Sequence, residues 1–149
     1  MSKGSPEDKR KHLEMIQAVI SRMGSNSFLF KGWSITIIAA VSAFAGKESD
    51  HTLMLIPVVS TLLFWAIDAY YLMNERAFRK LYEKVAATDP SDIDFAMTPA
   101  KEYIGFKNWL KTLKTTILSL FYGVVLMLLI FLIFAINNIS LEVLIHYGA

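Results

Sequence analysis

The run TLMLIPVVSTLLFWAIDAYYLMNERAFRKLYEKVAAT, residues 52–88, decides how this chain folds. Its first part, residues 52–73, is hydrophobic, carries a single charge, Asp68, and is long enough to cross a bilayer as a helix. Its second part, NERAFRKLYEKVAAT, lacks Pro and Gly, and its charges recur at i,i+4 from Glu75 to Arg79 and from Arg79 to Glu83. With no breaker between the parts, the reading is one helix that leaves the membrane and continues. At ~1.5 Å per residue it is about 55 Å long.

Outward from that run, the composition agrees. Of 149 residues, 54% are hydrophobic, more than a soluble domain of this size usually carries. The net charge of +2 does not by itself point to nucleic acid. The absence of cysteine excludes disulfides, thiolate metal sites and a Cys nucleophile. Residues 1–27 contain KRK and no apolar core, so no cleavable secretory signal is expected.

Ser5-Pro6-Glu7-Asp8 has the pattern of a helix start, with Ser5 as N-cap and Pro6 at the first helical position. Leu13, Ile16, Ile20 and Met23 follow at helical spacing, which predicts a cytoplasmic amphipathic helix within residues 1–27. Its apolar stripe suits packing on a protein helix or lying on the membrane surface. Gly24-Ser25-Asn26-Ser27 is expected to end it. A first span then covers about 28–46, where Gly32, Thr36, Ala39, Ala43 and Gly46 form a small-residue face of the kind that lets membrane helices approach. Residues 47–51 make a short turn, and the second span covers about 52–73, with Pro57 a candidate kink.

A loop rich in Asp and Pro follows residue 88, and a new helix is expected from about 98–102. It carries Lys107, Lys111 and Lys114 beside Trp109, a basic face suited to anionic headgroups. The third span covers about 115–136 and is apolar almost all round, the most lipid-exposed of the three. Asn137-Asn138 is expected to close it, leaving 137–149 as an extracytoplasmic tail. The fold class is therefore all-α: an integral membrane protein with three transmembrane helices in residues 28–136, an N-terminal amphipathic helix, and a cytoplasmic segment 74–114 that includes the helical extension of the second span.

Lysine and arginine set the orientation. The N-terminal segment holds five, or six with Lys31, the 47–51 turn one, residues 74–114 eight, and the tail none. The positive-inside rule then places the N-terminus and 74–114 in the cytoplasm of a cell with this protein in its inner membrane.

Neither a nucleophile elbow, a phosphate-binding glycine loop nor a zinc-protease motif occurs, and the three histidines fall on opposite sides of the membrane in this orientation. Neither an enzyme nor a cofactor is expected. Asp89, Asp92 and Asp94 sit beside prolines, as in a solvated loop. Asp68 and Lys31 lie near the same boundary of neighbouring helices, so they suit either a structural ion pair or a charged ring at the mouth of an oligomeric pore lined further out by Ser60 and Thr61. One copy with three spans encloses no aqueous path, which favours a homo-oligomer in the bilayer. Arg76, Arg79, Lys80 and Lys84 on the second helix, with Phe78 and Tyr82 interleaved, and Lys9, Arg10, Lys11 and Arg22 on the first, suit a nucleotide held by phosphate attraction and base stacking. They suit topology and lipid headgroups as well.

The stretches KHLEMIQAVISRMGSNSFLFKGWSITIIAA, residues 11–40, and AIDAYYLMNERAFRKLYEKV, residues 66–85, resemble the membrane effectors of Hailong-type anti-phage defence systems. That resemblance implies a multimeric ion channel, a tetramer, whose opening depolarises the infected cell in abortive infection. It further implies a nucleotide signal, single-stranded oligodeoxyadenylate made by a partner nucleotidyltransferase, that holds the channel shut. Residues 107–114 and the tail lie outside the resemblance. A non-conducting membrane scaffold that recruits a soluble partner is the other function the residues allow.

Overall fold

The structure is a computed structural model that describes residues 4–48, 53 and 55–147, with side chains placed for 4–44, 53, 55–135 and 138. Four α-helices account for most of it: α1 (Pro6–Glu48), α2 (Leu55–Ala87), α3 (Phe106–Leu113) and α4 (Thr116–Tyr147). Short 3-10 turns occupy Pro90–Asp92 and Lys101–Tyr103, and no strand occurs among the described residues. Three of the helices, α1, α2 and α4, are long and apolar enough to cross a membrane. The 49–51 part of the expected turn lies outside the described residues.

As its lack of breakers predicts, α2 is continuous. Pro57 falls in its first turn, where a missing N–H leaves no intrahelical bond unmade, so no kink is required. Three other boundaries differ from expectation. The helix expected from about 98–102 begins only at Phe106, because Gly105 at φ +110° separates it from the Lys101–Tyr103 turn. α1 does not end at Gly24-Ser25-Asn26-Ser27 but runs on to Glu48, so the amphipathic residues 6–23 are the first half of a longer helix and not a separate element. Contacts with α2 offset the poor helix propensity of this tetrad: Ser27 is buried and donates a hydrogen bond to Asp68, and Gly24 lies beside Glu75. α4 likewise passes through Asn137-Asn138 to Tyr147. Asparagine is only a weak helix breaker, and no Pro or Gly follows before residue 148.

The chain divides into two compact units, and both α1 and α2 contribute one part to each. The first unit contains residues 1–29 and 68–113. Its core is Ile16 and Ile20 of α1 against Leu81 and Val85 of α2, with Leu13, Phe78, Tyr82, Ile93 and Met97 around them. Ser5 and Asp8 form a reciprocal cap at the start of α1: the Ser5 N–H donates to the Asp8 carboxylate at 3.0 Å, and the Asp8 N–H donates to Ser5 Oγ at 3.2 Å. Lys9 Nζ reaches across to the end of α2 and donates to the carbonyls of Ala86, in its last turn, and Thr88, just beyond it, both at 2.8 Å. That cation satisfies carbonyls that have no partner within their own helix.

The second unit contains residues 30–67 and 114–149. Tyr122 is its largest fully buried side chain, stacked on Trp65 at a centroid distance of 5.8 Å and donating to the Phe64 carbonyl at 3.4 Å. Leu118 and Leu129 are buried on the same helix, whereas Ile117, Leu120, Met127, Leu128 and Phe131 are exposed, leaving most of α4's circumference open. The small-residue face of α1 is not the one turned inward. Ser34 and Ile38 are buried, while Gly32, Thr36, Ala39 and Ala43 are exposed, and a Cβ added at Gly32 would meet nothing within 4 Å. Within one chain Ile38 offers more contact area than alanine or glycine, and a small-residue face closes only against another helix.

Candidate functional site

In the first unit, four basic side chains and one acidic one line a groove of about 370 Å³ between α2 and α3. Arg76, Arg79, Lys80 and Glu83 line it from α2, and Asn108, Lys111 and Thr112 from α3, with Tyr103 at the edge. Gly105 makes this possible. Its φ of +110° turns the chain between the Lys101–Tyr103 turn and α3, a conformation that only glycine adopts without strain. Asn108 then ties the turn down, with Nδ2 donating to the Glu102 carbonyl at 2.7 Å.

The cations of this groove are not equivalent. Arg79 grips Glu75 through Nε at 2.9 Å and Nη2 at 2.7 Å, realising one of the two expected i,i+4 pairs. Glu83 does not take Arg79 as its partner but pairs with Lys80 at 2.7 Å, since Arg79 is already committed one turn earlier. The hydrogen bond to Glu83 and its charge hold the Lys80 ammonium above its usual pKa, and the hydrogen bond to Glu102 pushes the Tyr103 phenol up. Among the described residues Arg76 and Lys111 form no ion pair, and both are exposed. These two carry the groove's uncompensated charge.

The other candidate ligand residues fall elsewhere in the unit. Tyr82 packs on the core of Ile16, Ile20, Leu81 and Val85 and does not line the groove. Lys11 borders a separate hollow of about 300 Å³ with Asp8, His12, Met15, Phe95 and Met97. Arg22 is exposed on α1. Sequence periodicity did not reveal Lys111, Asn108 or Tyr103 as neighbours of Arg76, because Gly105 folds α3 back along α2. The alternation of Phe106, Trp109 and Leu110 with Lys107, Lys111 and Lys114 was the available signal.

Asp68 is fully buried and its carboxylate accepts a hydrogen bond from Ser27 Oγ, both in the first unit. Lys31, Ser60 and Thr61 belong to the second. Thr61 is fully buried and donates to the Pro57 carbonyl at 2.7 Å, Ser60 is half-buried, and the Lys31 carbonyl accepts from Ser34 Oγ at 2.8 Å. The loop aspartates form local turns: Asp89 accepts from the Ser91 N–H at 3.0 Å and Oγ at 2.8 Å, which lowers its pKa, and Asp94 accepts from the Ala96 N–H at 3.0 Å.

Comparison with protein-family models, with curated proteins and with solved structures finds no match to this chain.

Proposed function

We propose that this protein is a membrane effector of bacterial anti-phage defence: a homo-oligomer in the inner membrane, N-terminus in the cytoplasm, that conducts ions when gated and so depolarises the cell. One observation carries the mechanism. α2 runs unbroken from the buried carboxylate of Asp68 to the cationic groove at Arg76, a separation of about 12 Å along one helix at ~1.5 Å per residue. A phosphate-bearing ligand that bridges Arg76 on α2 and Lys111 on α3 shifts the two elements relative to each other. An unbroken helix carries that shift to Asp68. The oligomer supplies the aqueous path that one copy lacks, and the open small-residue face of α1 supports close approach of a second copy. The defence role and the oligodeoxyadenylate signal rest on the resemblance of residues 11–40 and 66–85.

Expression in bacteria with a voltage-sensitive dye tests this reading. A conducting effector depolarises the membrane, and the Asp68→Asn variant, inserted to the same level, changes the response.

A second reading, a non-conducting scaffold, is favoured by the burial of Thr61 and Asp68 inside the chain. A scaffold leaves the dye signal unchanged at any expression level.

A further inference from the structure

Beside the cationic groove lies an apolar recess of about 520 Å³, lined by Tyr70, Met73, Asn74, Ile104, Phe106 and Trp109 with Gly105. Met73 lines both, so the two hollows adjoin at one side chain. They are also ordered along α2: the recess takes Tyr70 and Met73, the last turn of the apolar run, and the groove takes Arg76 and Lys80, the turns after it. Apolar surface first and phosphate-seeking cations next is the order that a phospholipid presents when read outward from the bilayer.

We propose that groove and recess together hold one anionic phospholipid of the leaflet at the charged end of α2. Its phosphate lies against Arg76 and Lys111, and its acyl chains lie over Met73 against Tyr70, Ile104 and Phe106. The charge balance suits this occupant, since Arg79 and Lys80 are each paired with a glutamate while Arg76 and Lys111 have no such partner among the described residues. Tyr70 and Phe106 are exposed, Phe106 by 73%, an apolar area that water leaves uncompensated and acyl chains cover. A free oligonucleotide meets the same cations but needs no apolar recess, and the faces of Phe106 and Trp109 are already stacked on each other at 5.6 Å. Arg76 and Lys111 are also the cations that bridge the phosphate-bearing ligand of the proposed function, so the inference rests on that site and names its occupant as a lipid; it holds whether or not the protein conducts ions.

Native mass spectrometry of the intact protein, purified in mild detergent with phosphatidylglycerol or phosphatidylcholine, tests it. The wild type retains phosphatidylglycerol in preference to phosphatidylcholine. Arg76→Gln and Lys111→Gln each weaken retention roughly fivefold. Phe106→Ser with Ile104→Ser weakens it at unchanged charge, with helix content by circular dichroism confirming the fold. Equal retention of the two lipids, or retention indifferent to Arg76 and Lys111, overturns the proposal. So does displacement of the lipid by oligodeoxyadenylate or inorganic phosphate with no effect of the Phe106 and Ile104 substitutions, because that marks a site for a free aqueous anion.

Discussion

Ser27 Oγ donates a hydrogen bond to the carboxylate of Asp68, and both side chains are buried. The pair joins the stretch of α1 poorest in helix formers to the one charge in the apolar run of α2. A buried carboxylate deprived of a donor costs about 1–3 kcal/mol. Ser27→Ala is therefore expected to lower the thermal midpoint in detergent, whereas Ser25→Ala, at an exposed position of the same turn, leaves it within error.

Lys9 holds the carbonyls of Ala86 and Thr88. Lys9→Met keeps the aliphatic stem and removes the cation, a loss of about 0.5–1 kcal/mol at a helix C-terminus. Hydrogen exchange is expected to show faster opening of the last turn of α2, with Leu81 and its neighbours unaffected.

The cap between Ser5 and Asp8 makes the start of α1 sensitive to acid. Hydrogen bonds from the Ser5 hydroxyl and N–H lower the Asp8 pKa below its ordinary 3.8. A depressed folded-state pKa contributes stability that is fully present above the ordinary value and is lost as pH falls through the folded one. Fraying of the first turn, followed by NMR on residues 6–9, is thus expected to begin only below about pH 3.8. Ser5→Ala should make the same turn fray at neutral pH and remove its response to acid.

Tyr122 carries its weight through its ring. The hydroxyl bond to Phe64 is long at 3.4 Å, whereas the ring stacks on Trp65 with an interplanar angle of 13°. Tyr122→Phe is expected to cost less than about 0.5 kcal/mol. Tyr122→Ala removes the aromatic pair, worth about 0.5–1.5 kcal/mol beyond simple packing, and should shift Trp65 emission.

What could be foreseen from sequence follows from how local each signal is. α2 was legible because residues 74–87 lack Pro and Gly and alternate their charges, both short-range properties. The Ser5-Pro6 start of α1 was legible for the same reason. The passage of α1 through Gly24–Ser27 was not, since what favours helix there is a contact with Asp68 from a distant part of the chain. Tyr122 is the buried centre of α4, a role that a run apolar almost all round does not mark, because periodicity does not say which face meets Trp65. In the groove, Arg76, Arg79 and Lys80 could be grouped by helical spacing. Their completion by Lys111 depends on a turn at Gly105 that only the folded backbone defines.

Ion conduction under the control of α2 is the centre of the proposed mechanism. Purified protein in liposomes loaded with a potassium-sensitive dye tests this most directly, wild type beside Asp68→Asn at matched insertion. Flux above protein-free liposomes is expected for the wild type, altered by the substitution and by addition of a phosphate-bearing ligand. Wild-type flux equal to that of empty liposomes, with and without such a ligand, would contradict it.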